Sequence, residues 1–400
     1  MPCAKAQESV TWTLASVTEA AIQRAPQVLS ARASLEAARA YRTYGTMPRV
    51  GNPVLSARAM IGRPDQSAAT YSGLLGLPFD VSGRRRAWRT ESSWIEREAE
   101  ARLLVVQNDV RAEAREAFVD VALGLEQQRV AAGNAEIAGD FLARVKARFD
   151  AKAATALDVA LSQRDYAEST AAVAQAQERL VGAQGRLRQL LDLAPQAGMG
   201  IEPLPAPLLP EGLSRALAIE KALKQRREAA MYEASAERAG ASDVRLRREA
   251  IAPLQVNGEY EAQANDNTRS SGGVSVMAEL PVLLRNQGDR AVVRAEGQVA
   301  RLNAELTRRR VAREALTSFE QLESALNELA AIEQDAMPAA EQALAMTSEM
   351  LEAGAIDFFR LLSARQSAFG LRARRVEVLR NVWRLRIALE RSMGGVEEAP

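Results

Sequence analysis

The chain has 400 residues, with 52 Lys+Arg against 51 Asp+Glu, a formal net charge of +1, no histidine and one cysteine, Cys3. This balance offers no basic face to nucleic acid, whose binding is driven by phosphate neutralisation. The missing histidines remove Ser-His-Asp and Cys-His nucleophiles and nearly every zinc site, so neither an enzyme nor a cofactor or resident metal is expected.

In chain order, residues 1–9 read as an N-terminal tail. Ala4-Lys5-Ala6 has the small-x-small form of a signal-peptidase site, which would start the mature chain at Gln7. No charged and apolar leader precedes it, so the tail reads either as a signal-peptide remnant or as an ordinary N-terminus. Cys3 would then be removed with the leader, or be a lipidation site. Residues 10–193 form a first repeat. Two strands are expected in it, at about 54–61 and 69–79, around the polar turn Gly62-Arg63-Pro64-Asp65. A proline-free tract from Arg84 to Asp150 follows, with Val106, Val110, Ala114, Ala117, Val121 and Leu125 at helical spacing. As one helix it would be on the order of 100 Å long, too long for a compact globule. A second tract runs from Asp158 to Leu193, and a proline-rich linker spans 194–212.

A second repeat, 213–394, has strands expected at about 254–263 and 273–282 around Asn265-Asp266-Asn267. Leu254, Val256, Tyr260 and Ala262 alternate with Gln255, Asn257, Glu259, Glu261 and Gln263, giving one face suited to lipid and one to water. Two more long helices are expected, from Asp289 to Met337 and from Pro338 to Met393, before a tail at 395–400. No run approaches the roughly twenty apolar residues that a spanning helix needs. If the chain crosses a membrane, it does so with strands closed into a barrel.

The two halves correspond. Leu77-Pro78-Phe79 and Gly83-Arg84 match Leu280-Pro281-Val282 and the Asn286-to-Arg290 run. Phe149 to Val159 matches Leu351 to Leu361, and Ala21 to Arg24 matches Ala218 to Lys221. Each half therefore reads helix, hairpin, very long helix, sharp turn, long helix. Such a duplication constrains the architecture more than any single motif.

With these features, the chain from Val10 to Gly394 resembles the TolC family of outer-membrane efflux proteins. The resemblance rests on Leu14-x6-Ala21-x4-Pro26, Gly51-Asn52-Pro53 before the first strand, the two Leu-Pro exits, and the two tip repeats. Leu280-Pro281 with Arg285-Asn286-Gln287-Gly288 is similar to the CzcC-like heavy-metal branch. The resemblance implies a mainly α fold with a small β part, in which three copies share a β-barrel in outer-membrane lipid and an α-helical barrel in the periplasm. The linker and chain ends would form an equatorial belt. It also implies partners: a periplasmic adaptor and an inner-membrane pump, of RND type, served by a passive export duct in a Gram-negative outer membrane.

In the family the tip turns dock the adaptor, which places Lys152, Ala153, Gly354 and Ala355 as docking residues. Two departures from the family pattern stand out: Lys152 where glycine is usual, and Arg360 where Asp158 stands in the first repeat. Asp158 with Arg360, or Asp357 with a neighbouring cation, is expected to pair across helices and hold the tip shut. Ordinary turn and cap chemistry is the competing reading of these residues. Met346 and Met350 read as core packing rather than a soft-metal site. Two other architectures compete with this one. A periplasmic adaptor should carry one helical hairpin beside a β-domain, and a coiled-coil scaffold should lack the recurring strand pairs.

Overall fold

The computed structural model describes residues 11–46, 51–61, 69–196, 198–264, 269–353 and 355–395. Cys3 and Ala4-Lys5-Ala6, the turn residues 62–65 and 265–267, Gly354 and the tail from residue 396 lie outside them. The elements in chain order are β1 (Thr11–Trp12), α1 (Leu14–Arg24), α2 (Pro26–Ala40), α3 (Arg42–Thr46), β2 (Val54–Met60), β3 (Ala69–Phe79), α4 (Arg84–Asp150) and α5 (Ala156–Leu190). There follow β4 (Gly200–Ile201), α6 (Arg215–Gln225), α7 (Glu228–Glu249), β5 (Leu254–Ala264), β6 (Arg269–Met277), α8 (Gln287–Ala331), α9 (Met337–Glu352) and α10 (Phe358–Ser392).

Two elements depart from expectation. The last strand is Arg269–Met277 and not 273–282, because the chain turns tightly after it, with the Val282 amide donating to the Leu280 carbonyl at 2.8 Å. Pro281 also has no N–H to give a ladder. The second difference is at Pro338, where the sequence suggests a helix boundary. Here α8 continues through a π-helical turn, Ile332–Ala336, into α9, which ends only at Glu352. A proline inside an α-helix removes one donor and clashes with the carbonyl four residues earlier. The widened turn, in which the Met337 amide reaches the Ile332 carbonyl, absorbs that clash.

The chain divides into two compact units. One comprises the described residues up to Ser30, Val105–Arg226, and those from Arg309 onward. In it β1 pairs parallel with β4. Its core has two clusters that share α10. Val378, Val382 and Leu389 join Leu322 and Leu329 of α8, whereas Val376, Trp383 and Ile387 join Val119 and Leu123 of α4. A helix apolar on two sides is one that is enclosed on two sides. Buried Arg115 pairs with buried Glu390, and Arg226 pairs with Glu314.

The other unit comprises Ala31–Leu104 and Arg227–Arg308 and carries the sheet. Beside it, Asp243 of α7 accepts from Arg290 and Arg294 of α8, and Arg245 pairs with Glu91 and Glu249 while lying over the Trp88 ring. Both long helices here begin after a residue in the left-handed region, Gly83 at φ 73° and Asn286 at φ 54°. Glycine and asparagine tolerate that conformation best, which explains why they stand at the two equivalent hairpin exits.

Candidate functional site

The sheet is antiparallel in the order β2-β3-β5-β6, so the two hairpins of the duplicated halves meet through β3 and β5. Residues paired across antiparallel strands point to the same face. Reading the register, one face is formed by Leu55 opposite Leu75, Leu75 opposite Gly258 and Gly258 opposite Val274. The next rows hold Leu77, Val256 and Val276, then Gly73, Tyr260 and Gly272. None of the described residues covers this apolar face: Leu55 is 80% exposed, Val274 78% and Tyr260 58%. The opposite face carries Arg58, Ser72, Asn257, Glu259, Glu261, Gln263, Arg269 and Ser275.

That polar face has its own internal bonding. Asn257 donates to Ser275 Oγ at 3.3 Å, and Ser275 donates to Glu259 at 2.7 Å. A Cβ at Gly76 would lie 2.8 Å from Asn257 Oδ1, so glycine is what lets the asparagine lie across the strand. Among the described residues β2 and β6 each pair on one side only, which leaves two open edges. Exposed apolar rows and unpaired edges are costly in water.

The tips are the second candidate. At the first, α4 ends with the Ala153 amide donating to the Arg148 carbonyl, around Lys152 at φ 61°. Thr155 then caps α5 reciprocally with Asp158: the carboxylate accepts from Thr155 N at 2.8 Å and from Thr155 Oγ at 2.7 Å, and Thr155 Oγ accepts from the Asp158 amide. At the second, the Ala355 amide donates to the Met350 carbonyl, and Asp357 caps α10 by accepting from the Arg360 amide. Arg360 Nε lies 3.9 Å from Asp357, one turn away on its own helix, and both are well exposed. The structure thus brings Asp357 and Arg360 together. Among the described residues, no ion pair joins Asp158 to Arg360 within the chain.

Further along the same helices is a pair that sequence reasoning missed. Asp165 of α5 accepts from Arg365 Nη2 at 2.7 Å and from Gln366 at 3.2 Å, and both members of the ion pair are buried. The Arg365 guanidinium lies 5.0 Å from the Phe141 ring and 5.6 Å from the Phe369 ring, and Phe141 stacks on Phe358 at 5.1 Å. Phe141, Phe358, Arg365 and Phe369 border a cavity of about 880 Å³.

Residues 17–192 match the family model described as outer membrane efflux protein. Over those residues the chain is similar to the outer membrane efflux proteins. It is 24% identical over 355 residues to the cobalt-zinc-cadmium resistance protein CzcC of Cupriavidus metallidurans, covering 86% of this chain and 81% of that one. Its fold is similar to that of CusC, with a TM-score of 0.79 at 16% identity over 97% of this chain and 93% of that one. The outer membrane protein VceC of Vibrio cholerae gives 0.77 at 19% identity, over 96% and 97%.

For an outer-membrane efflux protein, the uncovered apolar face of the sheet has a solvent, the lipid, and the polar face has water. No helix among the described residues is long and apolar enough to cross a membrane. The Asp165–Arg365 pair left one trace in the sequence: an acid and an arginine 200 residues apart, at nearly the same place in the two repeats. One sequence cannot separate that trace from the many solvated charges on these helices.

Proposed function

We propose that three copies of this efflux protein join their sheets edge to edge into one barrel, and that the barrel and the long helices form the passive exit duct of a tripartite pump. The observation that carries the reading is the four-stranded sheet, with its uncovered apolar face and two open edges. Closing those edges with further copies removes them, and a closed barrel is the only sheet that lipid tolerates. The duct works by geometry and needs no catalytic residue. Its partners are a periplasmic adaptor, which docks at the turns holding Lys152, Ala153, Gly354 and Ala355, and an inner-membrane pump of RND type.

The cargo in this reading is heavy-metal cations, supported by the likeness to CzcC over most of the chain. Among the described residues no group of three or more His, Cys, Asp or Glu is placed to hold a metal ion. Cation choice therefore falls to the pump.

The tip gate in this reading is a contact between protomers. Asp158 and Asp357 are engaged as helix caps, and Arg360, which meets Asp357 at 3.9 Å with its side chain 74% exposed, is the group that reaches a neighbouring copy. The purified protein should run as a trimer in mild detergent, fractionate with the outer membrane and form channels in planar bilayers. Release as a monomer without detergent would overturn the duct. Arg360→Glu should raise single-channel conductance, and unchanged conductance would dispose of the gate while leaving the duct intact.

A further inference from the structure

We propose that the cavity at the tip, between the ends of α4, α9 and α10, binds a small amphiphilic organic anion. Its carboxylate or sulfonate would lie toward Arg144, Arg148 and Arg365, and its ring or branched chain against Phe141, Phe358 and Phe369. The cavity holds about 880 Å³, within the range that takes a drug-sized ligand. All of its lining residues belong to one compact unit.

The charges that line it do not balance. Four arginines, Arg144, Arg148, Arg365 and Arg372, face two acids, Asp158 and Glu341. Both acids are already engaged, Glu341 by Arg372 at 2.9 Å and Asp158 by the Thr155 cap. Arg144 and Arg148 sit one turn apart on α4 and make no ion pair among the described residues. Arg365 is only 4% exposed and spends Nη2 on Asp165, while its Nε and Nη1 are buried without an acceptor. The flanking phenylalanine faces offset part of the buried charge but are weak acceptors. Burial pushes the Arg365 pKa below its ordinary value; Asp165 opposes that push and the neighbouring Arg144 adds to it.

A cluster of cations, one of them deep in an aromatic wall, calls for an anion with an apolar body. A deeply buried cation also favours a ligand that enters the cavity over a protein surface lying across it. This inference does not depend on the duct reading, and conductance would be unaffected by its failure.

The test is isothermal titration of the full-length protein in mild detergent at low salt, with 4-phenylbenzoate and its neutral isostere 4-phenylbenzamide. The carboxylate should saturate one site per chain and bind at least about tenfold tighter than the amide. R144Q/R148Q, at two exposed positions, should weaken the carboxylate by about tenfold and leave the amide unchanged. F358A should weaken both ligands. Equal affinities for the two ligands on the unmodified protein, no saturable binding, or full carboxylate affinity in R144Q/R148Q would each overturn the proposal. The ligand comparison needs no variant, so it stands even where a substitution disturbs folding.

Discussion

The sheet and the helical tip solve the problem of exposed surface in opposite ways. In the sheet, Leu55, Leu75, Val274 and Val276 lie uncovered in rows, and none of the described residues packs on them. At the tip, apolar and charged groups are brought together from within one chain: Phe141 on Phe358, Arg365 between two rings and against Asp165. The sheet takes its stability from its surroundings, whereas the tip carries its own. Substitutions should therefore act through the solvent in one region and through specific partners in the other.

The largest effect expected from a single change is at Asp165. Asp165→Ala leaves the buried Arg365 without its carboxylate, a loss of about 3–5 kcal/mol for a broken buried pair. Melting of the purified protein should shift sharply down, and a shift no larger than that of an exposed pair would show that the tip is not self-sufficient. Next comes the sheet. Val274→Arg, near the middle of its strand, should cost about 2–4 kcal/mol per copy where the side chain meets the middle of the bilayer, and Glu261→Arg on the opposite face far less. Folding into liposomes, followed by denaturant titration, reads both. Equal costs on the two faces would erase the contrast.

A smaller effect is expected at Asp243. Burial pushes its carboxyl up, but hydrogen bonds from Arg290 and Arg294 outweigh that and hold it below the usual carboxylate range. A depressed pKa contributes stability above the ordinary value of about 3.9 and loses it as pH falls through the lower folded value. Asp243→Asn should thus cost about 1 kcal/mol at neutral pH, kept small by the exposed Arg294, and variant and parent should converge in acid. The smallest change is at Lys152, whose φ of 61° suits glycine. Lys152→Gly should stabilise by about 0.5–1 kcal/mol while Lys152→Ala does not, as a melting comparison would show.

The alternation from Leu254 to Gln263 was legible because strand periodicity is strict and the turn residues bracket it. The same holds for Gly83 and Asn286, where backbone conformation selects the residue. Pro338 misled for a physical reason: a proline usually ends a helix, and only the coordinates show the wider turn that accommodates it. Asp165 and Arg365 were illegible because burial, not residue type, distinguishes them from the solvated charges around them.

That wider turn has a consequence for the angular phase of the rod. One additional residue in a turn advances every later side chain by about 100° around the axis. A heptad count carried from Leu322 and Leu329 across Ile332–Ala336 would therefore mis-assign the inward side of α9. Restoring uninterrupted winding with Pro338→Ala alone would rotate Leu344 and Leu351 off the cavity they border, whereas also deleting one residue there would return them to it. Grafting a tip from a relative onto this chain succeeds or fails on that single residue of winding.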